Sequence, residues 1–232
     1  MNSGLRAAAV IGTAVLLSLS TPVQAVPIEV STGGVFVDSQ SSIAVGTQWS
    51  LDLVYETSTP DTLPGDPAEG LYNAYQWLQL TVGDQIYTLA DLVPERANVR
   101  VFDDRPSNDG DGETFRDVVG FGGSVASTLY GFSLLASFGD AAPGGGVLGS
   151  DALIADPLQL TSLFTDRQSP FWQFTDFVFY EMQPGETTTS VFAIGSVDRF
   201  SAAYVSVPEP GTLVLLSLGL LMMRWRRTLR IE

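Results

Sequence analysis

A period of two dominates the middle of this chain. Trp49, Leu51, Leu53 and Tyr55 fall on one side of an extended backbone, while Ser50, Asp52 and Glu56 fall on the other. Leu78, Leu80 and Val82 alternate with Trp77, Gln79 and Thr81, and Tyr130, Phe132, Leu134, Ala136 and Phe138 oppose Ser133 and Ser137. Alternation at every second residue suits a strand with one buried and one wet face; a helix needs repeats of three and four. Gly83-Asp84 offers a tight turn from the second of these runs into Gln85 to Leu89, so a hairpin is expected there. Phe171 to Tyr180 carries aromatics on both faces and reads as a central strand, and Val191 to Ile194 and Ala202 to Val205 add two more.

Gly, Pro and Asp punctuate the runs at Thr59 to Gly70, Asp103 to Gly112 and Ala141 to Gly149, which read as loops. Helical potential is confined to short pieces of Asp151 to Phe164, with Pro157 as an expected interruption. Many short strands between such loops imply an all-β body, an antiparallel β-sandwich of jelly-roll-like or immunoglobulin-like kind. No internal repeat of solenoid length is visible.

Composition removes several chemistries from consideration. The 232 residues include no Cys and no His, and all eleven basic residues are arginine. Ser-His-Asp and Cys-His catalysis, Schiff-base lysines and zinc held by Cys or His are therefore excluded. Disulfides are excluded too, so an exported body has to be stable on its core alone. With 26 acids the net charge is −15, which disfavours nucleic acid as a partner and favours solubility and divalent cations. At 45% apolar residues the chain is too hydrophobic for disorder.

Both ends read as addresses. Arg6 supplies a short positive region, Ala7 to Leu19 an apolar one, and Val23-Gln24-Ala25 places small residues at the two positions signal peptidase recognises. Residues 1–25 are thus expected to be a signal peptide cleaved after Ala25. At the other end Val207-Pro208-Glu209-Pro210 leads into the apolar run Gly211 to Met223 and the cluster Arg224-Trp225-Arg226-Arg227. Those thirteen apolar residues make a helix of about 20 Å, short against a hydrocarbon core of about 30 Å. Trp225 suits a membrane interface and the arginines resist translocation, so a brief membrane halt is expected, with a permanent anchor as the rival.

These residues resemble the PEP-CTERM sorting signal of Gram-negative bacteria, over Val207 to Arg227. The resemblance implies recognition by exosortase, a membrane protease-transpeptidase, with processing near the Pro-Glu-Pro. Carried over, Pro208, Glu209 and Pro210, which follow Val207, are the recognition element. The run opening at Gly211 is the temporary transmembrane helix, and Arg224, Arg226 and Arg227 are the stop. The expected domains are then 1–25, 26–206 and 207–232, with transient inner-membrane anchoring followed by the cell surface or an exopolysaccharide matrix. Segments such as Leu80-Thr81-Val82-Gly83 and Gly149-Ser150-Asp151-Ala152-Leu153 are similar to exported β-domains that precede this signal, a likeness that carries no activity.

Two sets of residues in the body are candidates for binding. Asp103, Asp104, Asn108, Asp109, Asp111 and Glu113 crowd oxygen ligands into one stretch, a calcium candidate that lacks the EF-hand frame. An exposed turn explains the same residues more simply. Tyr72, Tyr75 and Trp77 would make an aromatic platform for carbohydrate if they share an exposed face. Paired carboxylates for glycoside hydrolysis are inevitable among so many acids and indicate nothing by themselves. The expected function is a non-enzymatic surface or matrix protein. A carbohydrate- or calcium-dependent binding module is the alternative, and a hydrolase ranks below both.

Overall fold

A computed structural model describes residues 26–108, 113–126, 130–140, 146–182 and 190–205. The expected signal peptide and the C-terminal apolar helix lie outside these residues. Among the described residues no helix is long and apolar enough to cross a membrane.

The described chain is mostly antiparallel β-sheet with one α-helix. Its strands are β1 (Ile28–Ser39), β2 (Gln48–Tyr55), β3 (Glu69–Tyr72), β4 (Tyr75–Val82), β5 (Gln85–Thr88) and β6 (Asn98–Asn108). They continue with β7 (Glu113–Ser124), β8 (Tyr130–Asp140), β9 (Trp172–Met182), β10 (Ser190–Ser196) and β11 (Arg199–Tyr204). The order across the sheet is β3-β6-β7-β8-β9-β10-β1-β2-β4-β5, with β11 paired to β1. From β6 to β10 the sheet is a meander of sequence neighbours, although the connection from β8 to β9 is long and carries the helix.

β1 is the joint between two stretches of sheet. Its first part pairs with β2 and β11, through Ile28↔Tyr55 and Ile28↔Tyr204, and its last part pairs with β10, through Phe36↔Gly195 and Ser39↔Ala193. The change of partner falls at Gly33-Gly34, and a β-bulge follows between Phe36 and Asp38. A side chain at Gly34 would run into the Ser196 carbonyl, so the crossing backbones need glycine there.

Alternation predicted the buried faces well. β2 buries Trp49, Leu51, Leu53 and Tyr55; β4 buries Leu78, Leu80 and Val82; β8 buries Phe132, Leu134, Ala136 and Phe138. The β4–β5 hairpin turns at Gly83, whose φ of 56° is the left-handed conformation that glycine tolerates. These side chains join one cluster that links the two stretches of sheet. Trp49 of β2 stacks on Phe177 of β9 at 4.0 Å between ring centres, Tyr55 of β2 meets Phe121 of β7 at 5.9 Å, and Tyr87 of β5 meets Phe179 of β9 at 6.1 Å.

Two expectations about local structure change. Pro157 does not interrupt a helix but begins one, α1 (Pro157–Thr165), where its missing N–H costs nothing at the first position. Asp156 caps α1, its carboxylate accepting from the Leu158 N–H at 2.9 Å, and Phe164 stacks on Phe200 of β11 at 4.3 Å. The acidic stretch read as a loop from Asp103 is instead strand through Asn108, paired with β7 as Asn108↔Glu113. Its polarity hid the pairing of β6 with β7.

Candidate functional site

The strands β6 and β7 carry Asp103, Asp104, Asn108 and Glu113 of the calcium candidates, and a β-bulge lies among them. Pairing runs Phe102↔Val118 and resumes at Arg105↔Arg116, so Asp103 and Asp104 together oppose the single residue Asp117. Asp104 takes a φ of 53°, a conformation Asp tolerates better than most residues. Asp117 is 2% exposed. One carboxylate oxygen accepts from the Asp104 N–H at 3.0 Å and the other from the Leu148 N–H at 2.9 Å. A buried carboxylate thus holds the bulge and ties the segment around Leu148 to it.

Asp103, Asp104 and Asp117 bring carboxylate oxygens within 4.8 Å of one another. Burial, reinforced by Asp117, Asp104 and Asp151, raises the Asp103 pKa above the ordinary carboxylate value. Calcium takes about six to eight oxygens. Three carboxylates, one of them already accepting two backbone N–H groups, form only part of such a shell. Of the six residues expected to bind calcium, the β6–β7 pairing unites Asp103 and Asp104, while Asn108 and Glu113 face one another in its register. Asp109 and Asp111 lie outside the described residues. Asp117 was missed because it sits beyond the acidic run and reaches it only through strand pairing.

The aromatic trio does not form one exposed face. Tyr72 is buried and donates to the Asp151 carbonyl at 2.9 Å. Tyr75 turns inward, donating to the Asn98 carbonyl at 2.7 Å and accepting from the Gly122 N–H at 2.9 Å. Burial raises both phenol pKa values, so each hydroxyl stays protonated as a structural donor. Trp77 alone points out, 45% exposed, beside Val54 of β2. The expected platform therefore reduces to a single ring, because the β2–β4 register shifts between Val54 and Tyr55 and turns Tyr75 to the core.

Comparison with known families gives one finding. A family model described as the PEP-CTERM protein-sorting motif matches residues 206–227. No curated protein and no solved structure matches the chain significantly. The motif implies export and membrane-associated sorting through an exosortase. Its residues, and the expected cleavage positions Val23 and Ala25, lie outside the described structure.

Proposed function

We propose, from the PEP-CTERM sorting motif the chain carries at 206–227, that this is a non-enzymatic surface or matrix protein. A signal peptide over residues 1–25 starts its export, and an exosortase then processes it near Pro208-Glu209-Pro210. In this reading the apolar run from Gly211 anchors the chain only briefly in the inner membrane, and the body is delivered to the cell surface or the exopolysaccharide matrix. The body acts as a two-layer β-sandwich, a reading supported by the Trp49–Phe177, Tyr55–Phe121 and Tyr87–Phe179 contacts between strands far apart in the sheet order. Lack of enzyme activity is supported by the missing His, Cys and Lys. It is also supported by Asp117, whose carboxylate is enclosed and bonded to backbone where a hydrolase would need it open to a substrate.

Intact mass of the protein recovered from its native host tests this. The expected species begins at Val26 and ends near Pro208 to Pro210. A mass that retains Gly211 to Glu232 overturns the sorting reading and makes the run a lasting anchor.

A second reading, a calcium-dependent binding module, is favoured by the carboxylates of Asp103, Asp104 and Asp117 lying within 4.8 Å of one another. Calorimetric titration with calcium tests it; absence of heat removes it.

A further inference from the structure

Arginine is scarce in this acidic chain and unevenly spread. Of the six arginines between the two address segments, Arg96, Arg100, Arg105 and Arg116 fall within one short stretch. The β-bulge decides where they point. On β6, Asn98, Arg100 and Phe102 share a face with Gly122, Gly120 and Val118 of β7. By parity alone Arg105 would face the other way. Two bulge residues against one restore it to the Arg100 face, directly opposite Arg116. There its guanidinium lies 4.5 Å from the centre of the Phe102 ring.

All four arginines line one trough of about 710 Å³ on the side of β6 and β7 away from the core. Its floor is Gly120 and Gly122, where β7 offers no side chain, and β8 and β9 form the far wall with Ser133, Leu135, Phe174 and Tyr180. Among the described residues no Asp or Glu lines it, although acids outnumber basic residues 26 to 11 in the whole chain. Arg96, Arg100 and Arg105 are exposed to solvent.

We infer that this trough is a binding site for an acidic polysaccharide, with the exposed Arg96, Arg100 and Arg105 on the carboxylates and the far wall against the sugar rings. Guanidinium groups pair with carboxylates through two parallel hydrogen bonds, and strand register fixes Arg100 and Arg105 on β6 opposite β7, with Arg96 just ahead of β6. Serine hydroxyls and a tyrosine ring across the floor match sugar hydroxyls and ring faces. The volume lies within the usual range of ligand sites, about 300–1,000 Å³, enough for a few sugar units. Three exposed arginines in one trough call for carboxylates on successive sugar units, as a polyuronate carries them. Nucleic acid offers phosphates and flat bases but no run of ring hydroxyls for the serines of the wall, and the otherwise negative body opposes any polyanion that lacks that fit. The site is independent of the sorting motif, since it belongs wholly to the sheet.

The test is affinity electrophoresis and calorimetry of the purified full chain with alginate at physiological salt. Neutral dextran and single-stranded DNA are the comparison arms. Alginate is expected to bind, dextran not to bind, and DNA to bind at least about 10-fold more weakly than alginate. The double variant Arg100→Gln with Arg105→Gln should weaken alginate binding at least about 10-fold. Gly122→Leu fills the floor while leaving every arginine in place, and its first side-chain carbon would meet the Phe132 carbonyl at an ordinary 3.4 Å. It should abolish binding with an unchanged fold by circular dichroism. No alginate binding, DNA bound as tightly as alginate, or unchanged binding in a folded variant each overturns the assignment.

Discussion

At the scale of single residues, the clearest tension is between carboxylates at the β6–β7 bulge. Asp103 is held above the ordinary carboxylate pKa by burial first and by Asp117, Asp104 and Asp151 after it. A raised acid destabilises the fold once ionised. That cost is absent below the unfolded value of about 3.9 and is complete above the folded one, so this contribution to stability falls as pH rises between them. Asp103→Asn is therefore expected to raise the thermal midpoint at pH 7, with the gain vanishing toward about pH 4. Melting curves across that range check the sign; a lower midpoint at pH 7 means the carboxylate makes a contact that stabilises the native state. Calcium separates the remaining cause, since a cation bound by the cluster would raise the midpoint of the native chain and not of Asp103→Asn. The acidic run itself was legible in the sequence, but its buried partner Asp117 was not. Asp117 lies thirteen residues past Asp104, bonded to its N–H at 3.0 Å, and only the register of two strands brings them together.

At the scale of elements, glycine, proline and aspartate set where strands and helix begin and change direction. Asp156 and Pro157 form a helix start that could be read as an interruption only while the cap was unknown. Asp156→Ala should cost about 1 kcal/mol and lower the midpoint by about 2–4 °C in a domain of this size, measurable by calorimetry. Gly34 belongs to a different class, since its neighbour is the Ser196 backbone and cannot turn aside as a side chain can. Gly34→Ala should cost about 2–3 kcal/mol, in the range of overpacked sites, and a midpoint equal to that of the native chain would show that β1 crosses elsewhere. β1 escaped detection as a strand because the Gly33-Gly34 turn of partner and the bulge before Asp38 break its alternation after Thr32. The β6 bulge does likewise, and it is also the device that aims Arg105 at the trough.

At the scale of the molecule, one core joins the two stretches of sheet, and Phe177 stands at its centre. It is fully buried, stacked with Trp49 and in contact with the rings of Phe36 and Phe132. Phe177→Ala should cost about 3–5 kcal/mol, whereas Trp77→Ala on the open face of β4, losing its cross-strand contact with Val54, should cost about 1 kcal/mol. Urea unfolding of both variants, followed by near-ultraviolet and far-ultraviolet circular dichroism, should give coincident single transitions if the core is one cooperative unit. The sequence by itself determined what is carried by adjacent residues: the strands with unbroken alternation, the side each one buries, the exclusion of His and Cys chemistry, and the sorting motif at 206–227. Each of these is a local pattern of side-chain chemistry along an extended backbone or a short contiguous segment. Only the tertiary structure decided the order of the strands, the meeting of Asp103 and Asp104 with Asp117, the inward turn of Tyr72 and Tyr75, and the gathering of four arginines over a glycine floor. These depend on pairing register, where a slip of one residue reverses every side chain, and register is set by contacts between residues distant in the chain.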